Sequence, residues 1–278
     1  MPILLPSRRV KESKPKFSGD PDDYRLTLVE HIEELRDRII RSLTAICIGW
    51  AVGWIEFEPI YHYLQHIVDK AIREGLAKGH TYTEAFWSAP EAFLLQLQLS
   101  FMIGVILAFP YIVMQIWGFV APALKPNERK PFQKLAPASA LLFFMGVGFA
   151  WFVTPSALKW FVSYLENFPD VALIQHAGTM VFFILKLLLA FGFAFQLPLI
   201  VYGMGLAGIL SAETLLKYWR HSSITIFAVA ALVTPSNDPA TMLAMAIPLV
   251  ILFIISVYAV KFVQRKKPKQ EEARYPFE

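Results

Sequence analysis

Two carboxylates stand at positions where a fixed negative charge can be used for binding. Glu34 lies in a charged helical turn that leads directly into an apolar stretch, and Glu128 lies in a connection, residues 121–131, with three prolines. Prolines restrict the backbone, so this connection can hold a side chain in place. Carboxylates held in this way accept bidentate hydrogen bonds from guanidinium groups. Each also has a structural alternative, since Glu34 can pair with Arg38 and Glu128 with Arg129.

Polar side chains are rare within the apolar stretches, and each has two interpretations. Gln196, followed by Pro198, is either a hydrogen-bonding contact between helices or part of a polar site for a partner's polar group. Lys186 lies near one end of its stretch, which favours snorkelling of its ammonium to the interface over an ion pathway. Asp238, in the turn that begins at Thr234, either caps the following helix or belongs to such a polar site.

Several common enzyme signatures are absent. The sequence has no G-x-x-x-x-G-K for nucleotides, no G-x-S-x-G for hydrolases and no H-E-x-x-H for zinc proteases. His62 and His66 have the spacing of a zinc pair, but Tyr63 occupies the position of the glutamate base. Cys47 is the single cysteine, which excludes a disulfide within the chain. The sequence therefore predicts a protein that is not an enzyme and that uses neither a metal nor another cofactor.

Six apolar stretches predict an all-α integral membrane protein with six transmembrane helices. Hydrophobic residues make up 56% of the 278 residues and charged residues 17%, and about 20 helical residues cross a bilayer. The fifth stretch has only about 15 residues, about 23 Å of helix, which predicts local thinning of the membrane. The predicted spans are residues 39–57, 92–120, 135–154, 180–205, 219–234 and 241–260.

Basic residues are concentrated on one side of these spans. Of the 26 lysines and arginines, 21 lie on the side shared by both termini and four on the other. The positive-inside rule therefore puts both termini in the cytoplasm, and the net charge of +4 reflects topology rather than nucleic-acid binding. The predicted organisation is a mobile basic arm (1–25), a six-span membrane domain (26–262) and a charged cytoplasmic tail (263–278).

Local signals predict where helices begin. Thr27 with Glu30, and Ser88 with Glu91, have the spacing of a capping box ahead of the first and second spans. Residues 58–90 carry apolar positions at helical spacing, which predicts an amphipathic helix at the membrane interface.

Five motifs in order resemble one known family. Residues 31–38, His-Ile-Glu-Glu-Leu-Arg-Asp-Arg, match the H-L-x-E-L-R-x-R opening of TatC, the multispanning receptor of the twin-arginine protein translocase. The remaining matches are residues 90–93, 115–124 with Glu128 and Arg129, 190–198, and 234–248. The similarity covers about residues 26–260. Five motifs in the correct order, on a frame of six predicted spans, are not expected by coincidence.

The resemblance to TatC implies a function at the cell inner membrane. A protein of this kind binds the twin-arginine signal peptides of folded cargo at the cytoplasmic face and assembles with single-span TatA/TatB-type partners and with further copies of itself. Export is then driven by the proton-motive force. A small-solute secondary transporter is the alternative, although such folds favour internal repeats and intramembrane charges.

The resemblance also assigns functional positions. Gln196 and Ile254 stand where many family members carry glutamate, so a titrating role at these positions is not expected in this chain. The residues expected to bind the signal peptide are Glu34, Glu128 and Phe119, with Arg36 and Arg38 beside them, and those expected to dock a partner or form a membrane polar site are Gln196, Thr234 and Asp238.

Overall fold

The computed structural model describes residues 28–75, 82–120, 135–168, 172–234 and 238–266, and most of them are helical. The helices are α1 (Leu28–Ile55), α2 (Phe57–Gly75), α3 (Ala89–Val120), α4 (Leu135–Ser163), α5 (Thr179–Ala194), α6 (Leu197–Leu206), α7 (Ala212–Lys217), α8 (Trp219–Val233) and α9 (Pro239–Lys266). A 3-10 turn, Tyr164–Asn167, follows α4, and two strands are β1 (Tyr82–Ala85) and β2 (Leu173–His176). The arm at 1–25, Thr27 and the end of the tail lie outside the described residues.

Five helical segments in the described ranges are long and apolar enough to cross a membrane. They correspond to α1, α3, α4, α5 with α6, and α9. The predicted fifth span is α8, whose 15 residues confirm the short length expected from the sequence. Length and apolar composition therefore support five spans directly, and crossing by the short α8 remains a prediction.

The third span is longer than predicted because Pro155 does not end its helix. The sequence predicted an end at residue 154, whereas α4 continues to Ser163. The hydroxyl of Thr154 donates to the carbonyl of Ala150 at 2.7 Å. This bond does not replace the one lost at Pro155, which leaves the carbonyl of Trp151 without its helical donor. Neighbouring helices let a membrane helix accommodate a proline of this kind.

The fourth span, predicted as one helix over 180–205, is interrupted at Gln196. Helix α5 ends at Ala194 and α6 begins at Leu197. Pro198 has no N–H to continue the ladder, and the Gln196 N–H donates to Phe193 at 3.0 Å instead of the residue four positions back. The side-chain amide of Gln196 approaches the carbonyl of Gly192 at 3.5 Å, which partly replaces the lost bond.

Small residues let α1 and α3 approach closely. Gly49 and Gly53 face Gly104 and Ser100, and a Cβ atom at either glycine would lie 2.5 Å from a backbone oxygen of α3. Both helices thus present a small-x-x-x-small pair, the arrangement that brings membrane helices into backbone contact. The sequence analysis did not identify this interface.

Helix α2 confirms the predicted amphipathic segment between the first two spans. Its apolar face is buried by Leu64, Val68, Ala71 and Ile72, and it packs chiefly against α4. At its far end, Glu74 pairs with Lys159 of α4 at 2.5 Å.

Among the described residues, no group of three or more metal-ligating side chains is present.

The expectation of an all-α protein needs a small correction. Strands β1 and β2 pair in parallel, with Tyr82 opposite Leu173 and Ala85 opposite His176. Each strand has only four residues, too few to give a periodic signal in the sequence. The pair joins the connection after α2 to the connection after α4.

The predicted start of α3 is confirmed in a modified form. The Glu91 carboxylate accepts a hydrogen bond at 2.8 Å from the N–H of Trp87, and the Glu91 N–H donates to the carbonyl of Ser88 at 3.2 Å. His176 of β2 lies 3.0 Å from the same carboxylate. Glu91 thus stabilises the helix start and links it to the strand pair.

Residues 203–208 have the G-x-G-x-x-G spacing of a dinucleotide-binding turn, which was not recognised in the sequence. In the structure they end α6 instead of joining a strand to a helix. Gly208 has φ = 71° and starts the turn towards α7. The Gln264 amide of α9 donates to the carbonyls of Gly205 at 3.2 Å and Leu210 at 2.9 Å. These glycines therefore form a helix end fastened to α9 rather than a dinucleotide site.

Candidate functional site

The start of α1 meets the end of α3 at a half-buried ion pair. One carboxylate oxygen of Glu34, Oε1, accepts hydrogen bonds from Nε of Arg38 at 3.0 Å and from Nη2 at 2.6 Å. The two side chains are 23% and 22% exposed, respectively, so water screens the pair only in part. Glu34 therefore pairs with Arg38, as the structural alternative from the sequence predicted.

The third nitrogen of Arg38 is held by α3. Nη1 lies 3.3 Å from the side-chain oxygen of Gln115 and 3.4 Å from its backbone carbonyl. Gly118 leaves room for the guanidinium, because a Cβ atom at that position would collide with Nη1. Gln115 and Gly118 both lie in the motif at 115–124, but neither was singled out from the sequence.

The second oxygen of Glu34, Oε2, is buried and has no hydrogen-bond partner among the described residues. A buried carboxylate oxygen without a donor is costly, so this atom is a ready acceptor for an incoming cation. Glu128 lies outside the described residues, and its distance from Glu34 is not defined. Arg36 lies in the same turns and is exposed.

Aromatic rings border the ion pair. Phe119 of α3 stacks on His31 of α1, with ring centroids 4.2 Å apart and an interplanar angle of 11°. His31 precedes Glu34 by about one helical turn, so the stack and the carboxylate share one side of α1. The structure thus brings together Glu34, Arg38 and Phe119 of the predicted signal-binding residues.

A second polar group lies deeper between the helices. Trp117 donates to the hydroxyl of Ser139 at 2.7 Å, and that hydroxyl donates to the side-chain oxygen of Gln196 at 2.8 Å. The Gln196 amide nitrogen returns a bond to the Ser139 carbonyl at 3.1 Å. The chain of bonds crosses from α3 through α4 to the break after α5, and Gln196 is 8% exposed.

Comparisons with known proteins agree with this architecture. Residues 30–248 match the family model described as Sec-independent protein translocase protein (TatC). The chain belongs to the TatC family. The TatC of Koribacter versatilis is 31% identical over 98% of both chains, and that of Carboxydothermus hydrogenoformans is 34% identical over 90% of this chain and 97% of its own.

A crystal structure of a twin-arginine translocase receptor TatC superposes with a TM-score of 0.68, at 30% identity, over 84% of this chain and 100% of that one. TatC proteins are multi-pass membrane components of a Sec-independent translocase and are not enzymes. This confirms the two predictions from the sequence that the chain is a multi-pass membrane protein and that it is not an enzyme. The alternative of a small-solute transporter receives no support.

In this chain, Asp238 caps the last helix. Its carboxylate accepts a hydrogen bond from the N–H of Thr241 at 2.7 Å and another from the Thr241 hydroxyl. Thr234, at the end of α8, is 4% exposed, and its hydroxyl points towards the carbonyl of Ala231 at 3.5 Å. The hydrogen bonds of Gln196, by contrast, face α4 and its own helix, so the structure does not join these three residues into one polar site.

An open cavity of about 970 Å³ lies where the starts of α3, α5 and α9 meet the end of α4. Lys186 lines it, exposed, with its ammonium 4.9 Å from the ring centre of Phe182. Asp238 and Glu91 line it too. The exposed ammonium agrees with the snorkelling interpretation of Lys186.

Proposed function

We propose that this protein recognises twin-arginine signal peptides through Glu34 and Glu128, at the cytoplasmic face of the cell inner membrane, with both termini in the cytoplasm. The observation that carries the proposal is the carboxylate of Glu34. One of its oxygens already holds a guanidinium at 2.6 Å, and the other is buried and available to a second donor.

The chemistry of this site favours arginine over lysine. A guanidinium offers five N–H donors in a planar fork and can bridge carboxylates, whereas an ammonium acts as a point charge. Two adjacent arginines on a peptide thus match a pair of carboxylates. Phe119 and His31 give an apolar border beside them for the apolar residues that follow the arginines.

The proposal is tested by the affinity of a signal peptide for the protein in nanodiscs. Glu34→Gln and Glu128→Gln should each weaken binding by about tenfold or more, since a charge-assisted hydrogen bond contributes about 1.5–3 kcal/mol. Glu33→Gln is the matched control, because Glu33 is the exposed carboxylate beside Glu34. Equal affinity for all four proteins would refute the assignment.

We also propose that TatA/TatB-type single-span partners dock along the last three spans. Helices α6, α8 and α9 form an open groove of about 350 Å³, lined on α8 by His221, Ser222 and Thr225. Hydroxyl groups on an apolar helix favour association, because a partner's polar group can bond to them. A photocrosslinker at Thr225 should capture such a partner, and one at Leu141, exposed on α4, should not.

A further inference from the structure

The guanidinium that Glu34 holds belongs to the protein itself. Arg38 uses two of its nitrogens on one oxygen of Glu34 and the third on Gln115. All three nitrogens therefore have acceptors in the unliganded chain. An arginine from a peptide finds only Oε2 of this carboxylate open, and it can engage both oxygens only if Arg38 leaves Oε1.

The contacts of Arg38 other than those with Glu34 come from α3. Gln115 supplies both its side-chain oxygen and its backbone oxygen to Nη1, and Gly118 provides the space that the guanidinium fills. These contacts do not involve Glu34. If Arg38 releases Glu34, the contacts to Gln115 still satisfy part of its hydrogen-bonding capacity in this half-buried position.

We propose that Arg38 is a built-in competitor of the signal's arginine, and that binding is an exchange in which Arg38 leaves Glu34 and remains on Gln115. This inference rests on the proposed function. Arg38 then sets the affinity of the site, and Gln115 is a positioning residue that acts through it.

The exchange lowers the affinity of every ligand by the same factor, because the pair between Arg38 and Glu34 must be broken from the same starting state whichever cation arrives. The preference for arginine comes from the bound state instead. There an incoming guanidinium restores the bidentate bonds that Arg38 gives up, whereas an ammonium cannot reproduce this fork. Removing the competitor should therefore tighten the binding of both ligands and leave the preference unchanged.

The test is the affinity of an Arg-Arg and a Lys-Lys signal peptide for Arg38→Gln, with the protein in nanodiscs. Arg38→Gln should bind both peptides about tenfold more tightly than wild type, with an unchanged preference for Arg-Arg over Lys-Lys. Arg41→Gln removes the same charge from an exposed position one turn further along α1 and should change affinity by less than about twofold. Unchanged or weaker binding by Arg38→Gln would overturn the exchange.

A double-mutant cycle isolates the role of Gln115. Gln115→Leu removes the side-chain oxygen and leaves Arg38 only the backbone carbonyl of residue 115 once it has released Glu34, so it should weaken binding by about fivefold in the wild-type background. In the Arg38→Gln background the same change should have no effect. An equal loss in both backgrounds would mean that Gln115 acts on its own, and the exchange would be wrong.

Arg38→Lys separates an effect on folding from an effect on binding, and Glu34→Gln separates the exchange from the proposed function. Arg38→Lys keeps the charge but not the fork, and should also bind the Arg-Arg peptide more tightly than wild type, which guards against misfolding of Arg38→Gln. If Glu34→Gln loses affinity while neither Arg38 variant gains it, the exchange fails and the proposed function stands. If Glu34→Gln binds as wild type does, both fail.

Discussion

The hydrogen bonds of Gln196 predict that this residue stabilises helix packing. Gln196→Leu conserves the side-chain volume but removes the reciprocal pair of bonds between Gln196 and Ser139. Hydrogen bonds between membrane helices contribute about 0.6 kcal/mol on average and at most about 1.7 kcal/mol. The expected loss of stability is therefore about 1–2 kcal/mol.

The assay is reversible unfolding of the protein in mixed micelles, combined with a double-mutant cycle. Ser139→Ala removes the partner hydroxyl at a fully buried position. The coupling energy between the two changes should be about 0.6–1.7 kcal/mol. Gln98→Leu, the same chemical change at an exposed position of α3, should shift the stability by less than about 0.5 kcal/mol.

One result would refute this reasoning. If Gln196→Leu unfolds like the wild type, shows no coupling to Ser139 and loses crosslinking to a single-span partner, the residue serves a partner site and not helix packing. A stability loss with normal crosslinking supports the packing role.

Three further predictions concern topology, interface and cap. A reporter fused after Arg265 should be cytoplasmic and one inserted near Lys78 external; finding both on the same side would contradict the six-span topology. Gly53→Leu should destabilise the protein by about 1–3 kcal/mol in the same unfolding assay, because its side chain would press on the backbone of α3, whereas Gly148→Leu, on a helix face with no neighbour within 4 Å, should be neutral. Asp238→Ala should lower stability by about 0.5–2 kcal/mol through loss of the α9 cap, and Asp238→Asn should restore much of it; equal stability of wild type and the alanine variant would exclude the cap.

The sequence predicted the elements whose signals are long and periodic. Apolar length located the membrane helices, and the bounding Trp219 and Thr234 predicted the short α8 to within a residue. Helix α2 followed from its apolar spacing. These features succeed because burial in lipid or against a neighbour imposes a repeating pattern.

Features that depend on tertiary contact could not be predicted in this way. Gln196 and Pro198 were recognised as unusual, but nothing in the chain indicated that Ser139, 57 positions earlier, would be the partner. The strand pair was missed because its order comes from pairing between distant segments. Of the site, Glu34 and Phe119 were predicted by resemblance, whereas the role of Gly118 appears only once Arg38 is positioned against it.

The glycine contact between α1 and α3 also determines how accurately Glu34 and Arg38 of α1 face Gln115 and Gly118 of α3. Gly49 lies 15 residues beyond Glu34, about 22 Å along the helix. Backbone-to-backbone contact leaves no long side chain that could adopt a different rotamer, so a small change of crossing angle there is carried as a larger sideways shift of Glu34 relative to Gln115. If this cluster binds a signal peptide as proposed, the geometry of the site depends on glycines about 22 Å away along the helix, which the peptide does not need to touch.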